Sequence, residues 1–159
     1  MNDVNGEYPV MERSGETGVS EHDRYTVFSL WDTYRNVHQL LTLVYPERQA
    51  DMVRSMIGMY GEWGWMPKWE LYGRETFTME GDPAIPVIVD TWMKGLRDFD
   101  VATAYEAFRK SATTPGAQNR LRPDIDPYVE RGYIPLGFYA KDLAGDTSVS
   151  HALEYYVAD

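Results

Sequence analysis

The chain has 159 residues, the size of a single domain, and its 43% hydrophobic and 25% charged residues exclude a wholly disordered protein. Its formal charge of −10 at pH 7 argues against a nucleic-acid binder or a polybasic membrane module, because both present basic surface to phosphate groups. It contains no cysteine, which excludes disulfide scaffolds, thiol nucleophiles and cysteine zinc sites, and no apolar run approaches the roughly 18 residues of a transmembrane helix.

The first 24 residues are predicted to form an irregular arm. They are rich in glycine and charged side chains, and their strand potential, at Tyr8–Met11, is weak. Residues 1–10 are polar and lack the apolar segment of a signal peptide. We expect residues 25–159 to form the second unit, a mainly helical domain.

Four helices are predicted in the first two thirds of that domain. Tyr25–Leu30 is β-branched and aromatic and indicates a short strand, after which Asp32 is the expected N-cap of the first helix. Pro46 opens the second helix at the position that proline favours. The third helix runs from Pro83 to Gly95, and Asp100 caps the fourth.

The third predicted helix is apolar around nearly its whole circumference. A helix of this kind is buried on several sides, so we expect it to need neighbours from a larger assembly and to expose apolar surface without them. A short helix over Ile125–Arg131 and a last helix beginning at Ser148 or Ser150 follow, the latter without a stop signal before Asp159. The chain is therefore expected to be a C-terminally incomplete fragment built of stacked helical hairpins. The apolar residues of the third helix are Ile85, Val87, Ile88, Val89, Trp92 and Met93.

Glu75 is the first candidate for chemistry. It lies in a segment, Trp63–Gly81, that is predicted to be a long aromatic-rich loop on one concave face with the start of the third helix. A carboxyl group among apolar rings has a raised pKa and can give a proton to a leaving oxygen. The alternative is an exposed loop residue or an ion-pair partner of Arg74 or Lys68.

For each of the other candidate residues, a structural role is an alternative to a functional one. Trp31 and Asp32 precede Arg35, so Asp32 could bind sugar hydroxyls or orient that arginine, or could simply cap a helix; Asp82 poses the same choice. Glu154 is a metal ligand or an ion-pair partner of a neighbouring helix. The three histidines lack metal-ligand spacing. An aromatic group could line a sugar subsite or form a packed loop floor: Trp63, Trp65 and Trp69.

Several blocks, in order along the chain, resemble glycoside hydrolase family 92, the calcium-dependent exo-acting α-mannosidases. So many ordered blocks are more specific than any single short motif. The resemblance covers roughly residue 6 to the end. The main blocks are Phe28–Arg35 (FSLWDTYR), Tyr45–Arg48 (YPER), Gly64–Leu71 (GWMPKWEL), Glu75–Ala84 (ETFTMEGDPA), Gly132–Pro135 (GYIP) and Ser148–Tyr155 (SVSHALEY).

The resemblance implies a fold and a mechanism. The family's catalytic region is an (α/α)6 toroid, of which this chain would cover the early to middle hairpins. The family's chemistry is inverting: one carboxylic acid protonates the leaving oxygen and a second carboxylate activates water, while calcium bridges mannose hydroxyls. The acid falls on Glu75, and the site would be lined by Trp31, Asp32, Trp69 and Asp82, with Glu154 as a metal ligand. The general base and some calcium ligands would lie beyond the last helix.

Two departures from the family pattern bear on the activity. Residue 74 is arginine where many members have asparagine, and a cation beside Glu75 would lower its pKa unless Arg74 points away. Members specific for α-1,2 linkages carry His-Glu where this chain has Asp146-Thr147, which argues against that preference.

The resemblance favours mannose-containing glycans as partners and a periplasmic or secreted location. Two other functions stay open on the residues alone. One is a non-catalytic carbohydrate-binding or structural helical domain that keeps the aromatic loop without an acid/base pair. The other is a helical adaptor that binds a partner through its apolar helix.

Overall fold

Seven α-helices and five short β-strands make up this computed structural model, which describes residues 3–138 and 148–159. The fold is mainly helical, as predicted, and the predicted loop leading to Thr147 lies largely outside the described residues. In that described part, no helix is both long and apolar enough to cross a membrane. The strands are β1 (Glu7–Pro9), β2 (Thr17–Val19), β3 (Phe28–Ser29), β4 (Trp69–Leu71) and β5 (Arg74–Glu75). The helices are α1 (Leu30–Thr33), α2 (Val37–Val44), α3 (Pro46–Trp63), α4 (Ala84–Met93), α5 (Val101–Thr113), α6 (Ile125–Arg131) and α7 (Ser148–Ala158), with a short 3-10 helix at Gly116–Gln118.

The N-terminal segment is a docked hairpin, so the prediction of an irregular arm is wrong here. β1 and β2 pair antiparallel, and strands of three residues are too short to show an alternating pattern in sequence. Met11 is fully buried, and its N–H donates to the Glu62 carboxylate at 2.8 Å. The same carboxylate accepts a hydrogen bond from Arg24, also at 2.8 Å. Both contacts fasten the segment to α3.

A three-stranded antiparallel sheet, in the order β3-β4-β5, replaces part of the predicted long loop. β4 and β5 are joined by Tyr72-Gly73, whose φ angles of +51° and +81° are both in the left-handed region. Two-residue hairpin turns with positive φ at both central residues favour Asn-Gly or Asp-Gly. Tyr-Gly gives no such signal, which is why the hairpin was not predicted.

The buried carboxylate of Glu70 holds this hairpin against the segment before β3. It accepts hydrogen bonds from the Thr26 hydroxyl at 2.6 Å, the Val27 N–H at 2.9 Å and the Gly73 N–H at 2.5 Å. Val27 is β-branched and has a φ of +65°, a strained conformation that persists only where surrounding contacts impose it. The hydrogen bond from the Val27 N–H to Glu70 is one of those contacts.

The helix boundaries follow the sequence signals with one exception. α3 begins at Pro46 and ends before Gly64, whose φ of +91° suits glycine, and the Asp100 side chain caps α5 by accepting from the Thr103 N–H at 3.0 Å. Asp32 is not an N-cap, because the helix starts two residues earlier, directly after β3, where Leu30 is buried. The predicted first helix is thus two helices, α1 and α2.

Helix α3 packs against α2, α4 and α5, and α2 also contacts α4. α4 buries Val87 and Ile88 but leaves Trp92 37% and Met93 67% exposed. An apolar groove of about 530 Å³ lies between α4 and α5 and includes Trp92. The expected exposed apolar surface is therefore present, whereas the closed ring of six hairpins stays a prediction.

A polar chain crosses the helical core. Gln49 on α3 donates from Nε2 to the Thr91 hydroxyl of α4 at 2.9 Å, so its Oε1 is the atom facing His38 Nδ1, also at 2.9 Å. His38 therefore carries its proton on Nδ1, and its Nε2 accepts from the Thr33 hydroxyl at 3.0 Å. Each member of this polar chain has a partner in the neutral tautomer, in which the Thr33 hydroxyl can donate to His38 Nε2 or to the Ser29 carbonyl at 3.3 Å.

We expect His38 to make stability depend on pH. Burial lowers the pKa of His38, and the hydrogen bond to Gln49 opposes this only in part. The unfolded chain then binds the proton more readily, so the free energy of unfolding should fall as pH drops from about 6.5, the unfolded value, toward the folded-state pKa. Urea denaturation of His38→Asn should lack this slope, while the exposed His22→Asn control should keep it. A slope unchanged in His38→Asn would contradict the assignment.

Candidate functional site

The candidate site lies at one end of the three-stranded sheet. Ser29, the last residue of β3, pairs with Trp69, the first residue of β4, and Glu75 at the end of β5 pairs with Glu70. The antiparallel register therefore brings three segments to this end: α1 after β3, Lys68 before β4, and the loop after β5. Trp31 and Asp32 on α1 lie at the same end of the sheet as Trp69 and Glu75.

Glu75 is buried, with 8% of its surface exposed, and its carboxylate is held by backbone donors. Oε2 accepts from the Lys68 N–H at 2.7 Å, and Oε1 accepts from the N–H groups of Trp69 and Phe77, each at 2.9 Å. A carboxylate offers about four lone-pair sites, so three of these are occupied and one is open to a proton. The loop after β5 and the start of β4 are thus built around this group.

Burial raises the pKa of Glu75, while the three backbone hydrogen bonds and the charge of Lys68 lower it and only partly offset the effect. Arg74 adds no hydrogen bond or ion pair of its own to Glu75. It is exposed on the other face of β5 and donates to the Ser14 hydroxyl at 3.2 Å, since successive strand residues point to opposite faces. The arginine at position 74 therefore points away from the candidate acid.

A cavity of about 690 Å³ opens beside the loop after β5. Its wall is formed by residues 76–80, and its other side by the segment around the 3-10 helix and by His151 of α7. Lys68 lies at this cavity with only 5% of its surface exposed. Phe77 and Met79 have φ angles of +56° and +65°, so this wall is strained, as is common at functional sites.

Aromatic residues form a packed support under the loop. The rings of Trp63 and Phe77 are 6.1 Å apart, and the Arg120 guanidinium lies over both, 5.4 Å and 4.8 Å from their centroids. Trp65 belongs to the buried core. Trp63 and Trp65 therefore form the packed floor that the sequence left as one alternative, and Trp69 is half-buried at the sheet end.

Trp31 and Arg35 form a pair on α1 and the turn after it. The guanidinium stacks over the Trp31 ring at 4.5 Å and donates to the Trp31 carbonyl at 3.1 Å. Arg35 is thus oriented by Trp31 and by Glu154, to which it donates at 3.2 Å, rather than by Asp32. Asp32 is exposed and makes no side-chain hydrogen bond or ion pair with a described residue, so its carboxylate is open to solvent.

Asp82 is buried and is not among the described residues that line the cavity. It accepts a hydrogen bond from the Ser111 hydroxyl, and one of its oxygens lies 3.4 Å from Nε of the fully buried Arg122. Arg122 also contacts Asp159 at 2.6 Å. This ion-pair group joins the end of the Trp63–Gly81 segment to α5 and α7, which is a supporting position.

A second buried group lies near the cavity floor. His151 Nδ1 is 2.6 Å from one Asp124 oxygen, and the Tyr155 hydroxyl donates to the other at 2.5 Å. Burial alone would raise the pKa of Asp124, but the hydrogen bonds from His151 and Tyr155 lower it. His151 and Tyr155 are four residues apart on α7, so helical spacing could have placed them on one face, although nothing in the sequence connects them to Asp124.

Glu154 joins α7 to the site as an ion-pair partner. It accepts from the Tyr34 hydroxyl at 3.1 Å and from Arg35 at 3.2 Å. A Cβ at Gly81 would lie 2.5 Å from the Glu154 Cβ, so glycine permits this close contact. Within residues 3–138 and 148–159, no group of three or more His, Asp or Glu side chains is arranged to hold a metal ion.

Sequence reasoning missed Lys68, Asp124, Arg122 and His151 as members of the site region. Lys68 was considered only as an ion-pair partner, because lysine is normally exposed. Asp146 and Thr147, the positions relevant to linkage preference, lie outside the described residues. The site that emerges has a buried carboxyl group, a buried lysine beside a cavity, and, on α1, the half-buried Trp31 and the exposed Asp32.

The family model described as "Glycosyl hydrolase family 92 catalytic domain" matches residues 1–159. The chain is also similar to a family GH92 alpha-mannosidase from Bacteroides thetaiotaomicron in complex with mannoimidazole, with 34% identity and a TM-score of 0.82 over 98% of this chain and 19% of that one. A second structure of that alpha-mannosidase gives 34% identity and a TM-score of 0.81, over 98% of this chain and 20% of the other.

A family GH92 inverting mannosidase from Bacteroides thetaiotaomicron VPI-5482 matches with 28% identity and a TM-score of 0.76, over 96% of this chain and 21% of that one. No curated protein matches the chain. The chain spans about a fifth of the length of these solved structures.

Proposed function

This chain belongs to glycosyl hydrolase family 92, and we propose that it is part of the catalytic domain of a longer, inverting α-mannosidase that removes mannose from glycans. One observation supports this proposal above the others: the buried Glu75 carboxylate binds the Lys68 N–H, and Lys68 and Thr76 line a cavity large enough for a sugar ring.

Glu75 is assigned as the general acid. Burial raises its pKa, so the group stays protonated at higher pH than an ordinary glutamate and can donate a proton to the leaving oxygen. Its three backbone hydrogen bonds fix the carboxyl group in one place, which favours positioned proton transfer. The general base, which an inverting reaction also requires, is assigned to the longer protein.

The remaining predicted site residues take different roles in this proposal. Trp31, Asp32 and Trp69 share the sheet end with Glu75, where ring faces and an open carboxylate suit a sugar with its hydroxyl groups. Asp82 has a supporting role through its contacts with Ser111 and Arg122.

The rest of the proposed catalytic domain would cover the apolar groove between α4 and α5. An exposed groove of about 530 Å³ that includes Ile88, Trp92 and Phe108 is larger than isolated surface apolar residues explain. The matched mannosidases are about five times as long as this chain and so include helices that could fill it. The (α/α)6 ring is the arrangement that we propose for the whole.

The described residues do not by themselves fit a calcium site. Calcium takes six to eight oxygen ligands. Among the described residues, Glu154 belongs to no group of three or more His, Asp or Glu side chains that could hold a metal ion, and it forms an ion pair with Arg35. Calcium is kept as a proposed requirement of the longer protein, and no step above depends on it. A periplasmic or secreted location is proposed on the same basis.

The proposed function is tested by incubating the full-length protein with mannobioses of different linkage, with and without a calcium chelator. Release of mannose with inverted anomeric configuration, followed by NMR, is the expected result. Binding of mannobiose without hydrolysis would favour the non-catalytic carbohydrate-binding domain. Absence of both binding and hydrolysis would remove carbohydrate from the assignment.

A further inference from the structure

Lys68 is an unusual lysine. It is 5% exposed, yet its ammonium group makes no hydrogen bond or ion pair with any residue in the described part of the chain. Lysines are almost never buried to this extent unless they are paired. Burial lowers the pKa of Lys68, and the charges of four carboxylates, Asp82 most strongly, followed by Glu75, Asp124 and Glu80, oppose this effect only in part.

Lys68 lies where its side chain can reach a bound ligand. The residue lines the cavity of about 690 Å³, and its backbone N–H is bonded to Glu75. The cavity also contains Glu80, whose carboxylate has no described hydrogen-bond partner. A cationic donor and an anionic acceptor therefore face one cavity, next to the candidate acid.

The other walls of the cavity suit a ring with hydroxyl groups. Apolar surface is supplied by Phe77, Met79 and Leu121. Thr76 and Thr78 supply hydroxyl groups, which are hydrogen-bonded to each other at 2.9 Å. A sugar hydroxyl both accepts from an ammonium and donates to a carboxylate, so it satisfies both charged groups. A simple anion would satisfy Lys68 but would be repelled by Glu80.

We propose that Lys68 is a substrate-binding residue and that this cavity holds the sugar on the leaving-group side of the scissile bond, with Lys68 and Glu80 as its charged contacts. The inference rests on the proposed function, since it takes Glu75 as the acid. An acid protonates the leaving oxygen, and this cavity is lined both by Thr76, which follows Glu75, and by Lys68, whose N–H binds the Glu75 carboxylate, so it is placed to hold the leaving group.

The test is Lys68→Met in the full-length protein, with Lys94→Met on the exposed end of α4 as the matched control. A lost hydrogen bond to a charged group corresponds to a change of about 10- to 100-fold. We expect KM for mannobiose to rise by about that factor. The KM for an aryl α-mannoside, whose leaving group lacks the sugar hydroxyls, should change little. The pH dependence of kcat should stay as it is in the wild type, whereas an effect through the ionisation of Glu75 would shift it.

Other outcomes separate the alternatives. An unchanged KM for mannobiose, or equal losses on both substrates, would overturn the inference, because a purely structural lysine affects both alike. Competitive inhibition by inorganic phosphate that disappears in Lys68→Met would also overturn it in favour of an anion site. If the wild type binds mannobiose by calorimetry but cleaves nothing, the proposed function fails, and weaker binding in Lys68→Met still supports the sugar contact.

Discussion

Replacing Glu75 with glutamine is expected to lower kcat/KM for an α-linked mannobiose by about 10²–10⁴-fold, the usual contribution of a general acid. Glutamine has nearly the same shape and keeps one acceptor oxygen, but it has no proton to donate at neutral pH. An aryl α-mannoside with a good leaving group departs without help and should lose much less activity. Steady-state kinetics of the full-length protein on both substrates measure the difference.

Glu70→Gln is the matched control for this experiment. Glu70 is buried, lies directly opposite Glu75 in the β4–β5 pair and also accepts three hydrogen bonds, but these bonds hold the hairpin and the Val27 turn. Its replacement should lower the melting temperature and affect both substrates alike. A loss selective for mannobiose in Glu70→Gln, or in a Glu80→Gln variant, with Glu75→Gln fully active, would move the acid role to that residue.

The helices could be predicted where the signal is local. Pro46 and Asp100 mark helix starts through backbone chemistry that the neighbouring residues do not alter, and both assignments are confirmed. The β4–β5 hairpin could not be predicted, because its turn places Tyr72 in a conformation that sequence rules reserve for glycine and asparagine. Its cost is offset by the Glu70 bond to the Gly73 N–H, a contact that appears only once the strands are paired.

The residues of the candidate site likewise include some that local sequence predicts and some that it does not. Glu75 was identified because aromatic neighbours in sequence predict a poorly solvated carboxyl group, and that group is indeed buried. Lys68 and Arg122 look like surface residues in sequence, since a basic side chain gives no local sign of burial. Their burial depends on elements that come from far along the chain, such as Asp159, which lies 37 residues from Arg122.

Several charged side chains are buried in the site region, and they are stabilised in two different ways. Glu75 and Glu70 are solvated by backbone N–H groups, which cannot leave without unfolding the hairpin and the loop. Arg122 instead depends on ionised side chains, and two of its nitrogens as well as one Asp82 oxygen have no hydrogen-bond partner among the described residues. Both oxygens of each carboxylate therefore accept a backbone hydrogen bond, while the Arg122–Asp82 pair keeps polar atoms without a partner in the described part of the chain.

Replacing Arg122 with methionine is expected to destabilise the protein by about 3–5 kcal/mol, because it leaves the buried Asp82 without its cation. The loss should appear as a lower urea midpoint and melting temperature of the full-length protein. Arg131→Met, at an exposed position on α6, should change the free energy of unfolding by less than about 0.5 kcal/mol. An Arg122→Met variant as stable as the wild type would show that Asp82 does not need this cation in the folded protein.

The double variant Arg122→Met with Asp82→Asn separates the charge from the packing. Asparagine can still accept the hydrogen bond from Ser111, and no unpaired charge remains. Since buried ion pairs with incomplete hydrogen bonding contribute little net stability, the double variant should recover most of the loss seen in the single one. Recovery to near the wild-type midpoint is the expected result, whereas a double variant as unstable as Arg122→Met would show that the arginine stabilises the fold by packing over Tyr155 rather than by its charge.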